Sequence, residues 1–166
     1  MGNLAKLKEM LEKSQSNMSI GTLRERKLLQ KRVYFLQVLG IELGYHYNWY
    51  VYGPYSPALT CDIYDLNLKM TVAPETVGSY NSNSHENTII NRFRKMFRGY
   101  LENSDDSAYW FELLASLHYM INAGYIKSKT GKSAVEGLLA LKGNRFSKDD
   151  AEKAWHFLVN NQLIST

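Results

Sequence analysis

The sequence predicts a mainly α-helical single domain over residues 1–166, with about six or seven helices, a short aromatic β element and a C-terminal helix-turn-helix-like unit. Three observations predict it. Apolar residues recur at helical spacing through most of the chain, as at Ile89, Ile90, Phe93, Phe97 and Leu101. Helix-start signals precede several of these runs: Thr22 with Glu25, Ser56 with Pro57, and Ser147 with Asp150. One stretch, 45–52, alternates aromatic and β-branched residues in the manner of a strand.

In chain order, Leu4, Leu7 and Leu11 predict a short amphipathic helix over 4–17. A second helix starts at the Thr22–Glu25 capping box and carries Leu28, Leu29, Val33, Leu36 and Leu39, with Gly40 or Gly44 to close it. Its start is charged, from Arg24 to Lys27 and again at Lys31 and Arg32. The aromatic strand, 45–52, places Tyr45, Tyr47, Trp49 and Val51 on one face, and His46, Asn48, Tyr50 and Tyr52 on the other. Trp49 and Val51 are expected inward and the tyrosines outward. Gly53-Pro54 then reads as a turn, and Ser56-Pro57 as the start of a helix to about Met70, with Leu59, Ile63, Leu66 and Met70 on one face. Residues 71–84, with Pro74 and a polar Gly78-to-Ser84 stretch, read as a flexible loop.

Helices over 85–102 and from Ser104-Asp105-Asp106 to Gly124 follow, the second with acids at its N-terminus, where the helix dipole favours them. The final unit consists of a lysine-bearing link, 125–132, a helix over 133–141, and a last helix capped by Ser147 with Asp150 completing the box.

The composition limits the function classes. A net charge of +4 is mildly basic, which permits nucleic-acid contact without requiring it. The single cysteine, Cys61, excludes an intramolecular disulfide and fits a reducing compartment. No apolar run reaches the roughly eighteen residues that a membrane span needs. The N-terminus shows no apolar signal core, and Lys6 stands where a myristoylation signal would want Ser or Thr. The expectation is a cytoplasmic protein that does not engage membranes.

Catalytic and cofactor chemistry find no motif. His46, His85, His118 and His156 are scattered, and none pairs with Cys61 or a carboxylate at ligand spacing, so no metal site is expected. Cys61 reads as a small buried hydrophobe. Ser56 lies in Tyr-Ser-Pro rather than in a nucleophile elbow. Gly131-Lys132-Ser133 ends like a phosphate-binding loop, but Ile126 stands where that loop needs its first glycine. The paired acids Asp105-Asp106 and Asp149-Asp150 sit at helix starts. No catalytic residue, cofactor or metal is therefore assigned, and the chain is not expected to be an enzyme.

Two binding readings remain. The tyrosines of the aromatic stretch suit a peptide-binding platform. The basic segments 24–32, 92–98 and 127–132 suit nucleic acid if they converge on one surface. The mixed charge of the last helix, Lys148 to Lys153, is a poor complement to phosphate.

A family resemblance bears on the choice. Lys27-Leu28-Leu29-Gln30-Lys31-Arg32-Val33-Tyr34-Phe35-Leu36-Gln37 resembles the Leu-Gln-Lys-Leu-hydrophobic-Tyr-hydrophobic-x-Gln helix of the Panacea domain, the family of the SocA-like antitoxins. The segment from Trp49 to Leu59 is similar to the family's aromatic-x-x-Gly-Pro-hydrophobic-x-Pro element, in the same order. The chain departs from the antitoxin group at Tyr55-Ser56 and in its Asn/Ser loop at 78–84, as a neighbouring branch of small bacterial, archaeal or phage proteins would. The resemblance implies a helical, non-enzymatic domain that binds a protein, either neutralising a toxin encoded nearby or acting as an adaptor for its proteolysis. The expected contact residues are Tyr50, Tyr52 and Tyr55, with Arg24, Lys27 and Lys31 beside them. The alternative is a DNA-binding transcriptional regulator that uses the basic helices and the C-terminal helix pair.

Overall fold

Two long antecedents of the core, α2 (Leu23–Leu39) and α5 (Asp105–Asn122), pack against each other at the centre of the molecule. The computed structural model describes residues 3–126 and 130–165. Around this pair stand α1 (Leu4–Lys13), α3 (Pro57–Val72), α4 (Ser84–Met96), α6 (Gly131–Lys142) and α7 (Lys148–Asn160). A single antiparallel hairpin, β1 (Asn48–Tyr50) with β2 (Gly53–Tyr55), completes a mainly α domain.

Local chemistry sets the helix starts. Thr22 Oγ1 accepts the Glu25 N–H at 3.1 Å, and Glu25 Oε2 accepts the Thr22 N–H at 3.3 Å, closing the capping box. Gly40 takes φ +119° at the C-terminus, a conformation that costs glycine no Cβ strain. Ser56 Oγ accepts the Leu59 N–H at 3.3 Å, with Pro57 at the first helical position of α3. Ser147 caps α7, but Asp150 does not complete a box. Its carboxylate instead accepts the Tyr109 hydroxyl at 2.7 Å, tying α7 to α5.

The core falls into two clusters that share α2. The larger gathers Leu28, Tyr34, Phe35 and Leu36 with α4, α5, α6 and α7. The smaller gathers Leu29 and Val33 with Leu7, Leu11, Leu59, Ile63 and Leu66 from α1 and α3. Helix α2 is thus apolar around most of its circumference and contributes side chains to both clusters.

Several expectations are corrected. The strand over 45–52 is a hairpin: Val51 and Tyr52 make the turn, and Gly53-Pro54 belongs to β2. Gly53 takes φ +90° while Val51 and Tyr52 keep negative φ, the combination of a turn passing into a strand through a left-handed glycine. A Cβ on Gly53 would also collide with Ser116 Oγ on α5. Because the chain reverses at Val51, that side chain is 79% exposed rather than inward. Helix α4 ends at Met96, short of Leu101, and the chain turns away at Gly99, φ +91°. Helix α1 ends at Lys13. The 71–84 stretch is fastened at three points: Val77 is buried, the Tyr80 hydroxyl donates to Glu86 at 2.7 Å, and Ser82 accepts from Lys13 Nζ at 2.5 Å. Cys61 is exposed on α3 rather than buried.

The basic 24–32 segment does not form one surface. Arg32 is fully buried, and its guanidinium donates to the carbonyls of Tyr100 (3.1 Å), Leu101 (2.8 Å) and Glu102 (3.1 Å) and to Asn103 Oδ1 (2.9 Å). It ties residues 100–103 to α2, and it lies 5.4 Å from the Phe111 ring centre. Lys127 and Lys129, from the third basic segment, lie outside the described residues.

Candidate binding groove

The expected contact residues meet at a groove of about 420 Å³ between α2, the hairpin and the start of α3. Tyr50, Tyr52, Tyr55, Lys27 and Lys31 all line it, together with Ile20, Leu23, Arg26, Val51, Ile63 and Tyr64. Arg24 lies one turn up α2, outside the groove, where it pairs with the exposed Asp105 at 3.2 Å. An ion pair this exposed contributes little.

The tyrosines are held from behind. Gln30, buried in α2, accepts the Ser56 N–H at 2.9 Å and donates to the Ser56 carbonyl at 3.0 Å and to Thr60 Oγ1 at 2.8 Å. Thr60 then donates to the Tyr55 hydroxyl at 2.7 Å. That chain of donors leaves the Tyr55 O–H proton directed away from Thr60. Tyr50 meets Tyr55 edge to face with ring centres 5.0 Å apart. Tyr52 carries Lys27 Nζ 4.5 Å from its ring centre and the Arg145 guanidinium at 5.2 Å.

Lys31 is the correction within the site. It lies on the same stripe of α2 as Arg24 and Lys27, as its spacing predicts, but that stripe runs inward, and Lys31 is 2% exposed. Its ammonium donates to the Pro54 carbonyl at 2.6 Å and so holds β2 to α2. Burial pushes its pKa from the ordinary 10.5 to about 7. The Glu112 carboxylate opposes that shift, while Lys142 and Lys27 reinforce it. Lys27 and Lys142 are also lowered, chiefly by desolvation.

The remaining charges of the site come from distant sequence. Lys142 Nζ donates to the Val51 carbonyl at 2.8 Å and lies 4.9 Å from the Trp49 ring centre, pinning the hairpin turn to the end of α6. Arg145 reaches Glu112 Oε2 through Nε at 2.8 Å and Nη2 at 2.6 Å. Glu112 is fully buried in α5, and its other oxygen, Oε1, has no hydrogen-bond partner. Four cations, Lys27, Lys31, Lys142 and Arg145, thus surround one interior carboxylate.

Sequence reasoning also missed Leu23 and Tyr64. The signal for Tyr64 was a second apolar stripe on α3: Cys61, Tyr64, Leu68 and Val72 follow helical spacing and are all exposed, opposite the buried Leu59, Ile63 and Leu66.

Among the histidines, His118 alone is interior. Its Nδ1 lies 2.7 Å from the Tyr34 hydroxyl and its Nε2 3.2 Å from the Leu163 carbonyl, and burial lowers its pKa from 6.5 to about 4. Among the described residues, no three His, Cys, Asp or Glu side chains gather into a metal-binding group, and no helix is long and apolar enough to cross a membrane.

Compared with known proteins, the chain matches no family model, no curated protein and no solved structure.

Proposed function

We propose that the protein is a non-enzymatic, cytoplasmic protein-binding regulator, acting as an antitoxin or proteolytic adaptor toward a toxin encoded nearby. The observation that carries the reading is the gathering of exposed apolar surface. Of the eight large apolar residues exposed among those described, Leu23, Tyr50, Val51 and Tyr64 all line the one groove. Exposed apolar surface collected in one place marks interaction sites. The resemblance of residues 27–37 and 49–59 to Panacea domains supports the same reading.

The test is co-expression with the product of the adjacent reading frame, followed by size-exclusion chromatography and calorimetric titration. The expected result is a stable complex, weakened by Tyr50→Ala and by Tyr52→Ala in chains whose circular dichroism is unchanged. A full-strength complex with both variants would place the interface elsewhere.

A DNA-binding role is a second reading, favoured by one observation. Arg92, Arg94, Lys95 and Arg98 are all exposed on and just after α4. Its test is duplex affinity against salt, where a phosphate-driven contact loses affinity steeply as salt rises. The outer side of α7, with Lys148, Asp149, Glu152 and Lys153 exposed, adds no consistent charge to that patch.

A further inference from the structure

We propose that the groove takes a partner segment presenting a carboxylate side chain within a residue or two of a large apolar one, the carboxylate meeting Lys27 and the apolar group filling the space between Leu23, Val51 and Tyr64. The inference rests on the protein-binding reading and specifies the chemistry of what is bound.

Charge complementarity selects the occupant. The lining holds three basic side chains, Arg26, Lys27 and the partly charged Lys31, and no carboxylate. None of the three takes part in any of the six ion pairs among the described residues. Arg26 donates to the Ile20 carbonyl, Lys31 to the Pro54 carbonyl, and Lys27 lies over the Tyr52 ring. The nearest interior acid, Glu112, is bound by Arg145 through both contacting nitrogens. Glu112 and Asp105 also act on Lys27, but each is engaged by an arginine, Arg145 and Arg24 respectively, so the groove stays positive on balance, in a setting where desolvation strengthens any charge it meets. A carboxylate arriving at Lys27 would gain a charge-assisted contact that the chain itself does not satisfy.

The remaining lining selects an apolar neighbour for that carboxylate. Ile20, Leu23, Val51 and Ile63 form aliphatic walls. Flat stacking of nucleic-acid bases fits less well, because the Tyr52 ring already carries Lys27 and Arg145, and Tyr50 and Tyr55 meet edge to face. A second copy of the chain would bring its own net charge of +4 to a positive groove.

The experiment is selection of a randomised dodecapeptide library against the full-length protein, followed by anisotropy titration of the enriched peptides. The expected result is enrichment of Asp or Glu next to Leu, Phe, Trp or Tyr. Affinity should fall about tenfold when the peptide acid becomes its amide, and about as much with Lys27→Gln. Lys27→Glu should bind a peptide whose acid is replaced by lysine better than it binds the parent peptide. Enriched peptides without acids, no enrichment, or equal binding by Lys27→Gln would overturn the proposal. So would displacement of the peptide by a fifteen-residue oligothymidylate at similar concentration, or a doubled mass in light scattering that the peptide reverses. If the co-expressed neighbour binds but the complex is indifferent to Lys27→Gln, this inference fails while the protein-binding reading stands. If neither binds, both fail.

Discussion

Replacing Lys31 with methionine should change how stability depends on pH. Lys31 titrates near 7 in the fold and at the ordinary 10.5 once unfolded. Between those values the unfolded chain holds the extra proton, so stability rises with pH across the window and falls as pH drops from 10.5 through 7. A full pH unit inside the window is worth about 1.4 kcal/mol and the slope is half that at the folded midpoint, so the wild-type chain gains about 2.3 kcal/mol over the variant between pH 7 and 9. The groups facing Lys31 set the midpoint: burial lowers it, Glu112 on α5 raises it, and Lys142 on α6 and Lys27 on α2 lower it further. Methionine fills a similar volume, removes the titration and gives up the bond to the Pro54 carbonyl. Tyrosines such as Tyr34 and Tyr45, whose pKa values burial raises, are common to both proteins and cancel in the difference. Urea unfolding followed by tryptophan fluorescence at pH 7, 8 and 9 measures it. A difference between the two proteins that stays constant to within about 0.5 kcal/mol over that range would refute the assignment of Lys31 as a buried ammonium with no ion-pair partner among the described residues.

Three further outcomes follow from the same geometry. Gly53→Ala should cost about 2–4 kcal/mol in urea unfolding, because the new methyl meets Ser116 and the backbone is left-handed there; a loss under about 0.5 kcal/mol would show that the hairpin moves freely off α5. Arg32→Met should cost about 2–4 kcal/mol, because it strands three carbonyls of residues 100–102, and Arg32→Lys should recover only part of the loss, since an ammonium lacks the planar fork. His118 should stay neutral in the fold down to about pH 5, so that stability falls as pH drops from 6.5 toward 4, by about 3 kcal/mol in all; a ring-proton NMR titration with its midpoint above 6 would contradict this.

What the sequence disclosed was local. Thr22 with Glu25, Ser56 with Pro57 and the glycine after Leu39 act through neighbours within a turn, so their identity carries the geometry. The hairpin was hidden because its turn residues are Val51 and Tyr52, without the Asn-Gly or Asp-Gly signal that marks most tight hairpins. Five of six expected contact residues share one groove, since three of them sit on one hairpin and two on one helix stripe. The depth of Lys31 was illegible, because periodicity fixes a residue's side of a helix but not whether another element covers that side. Lys142, Arg145 and Glu112 reach the site from far along the chain, and no local pattern announces such convergence.

The division of the interior into two clusters has a mechanical consequence. Among the described residues nine buried ones form the smaller cluster and twenty-seven the larger, and α2 contributes to both. The groove opens where the hairpin, which packs on α5, comes closest to α3, which belongs to the smaller cluster. Of the groove's lining, Ile63 belongs to the smaller cluster and Ile20 packs against it, so a guest of the kind proposed would bear on the smaller half. Held by fewer buried apolar residues, the smaller half is the part expected to open at the lower free energy. With the proposed guest bound, the free energy of binding would be added to the stability of that smaller half.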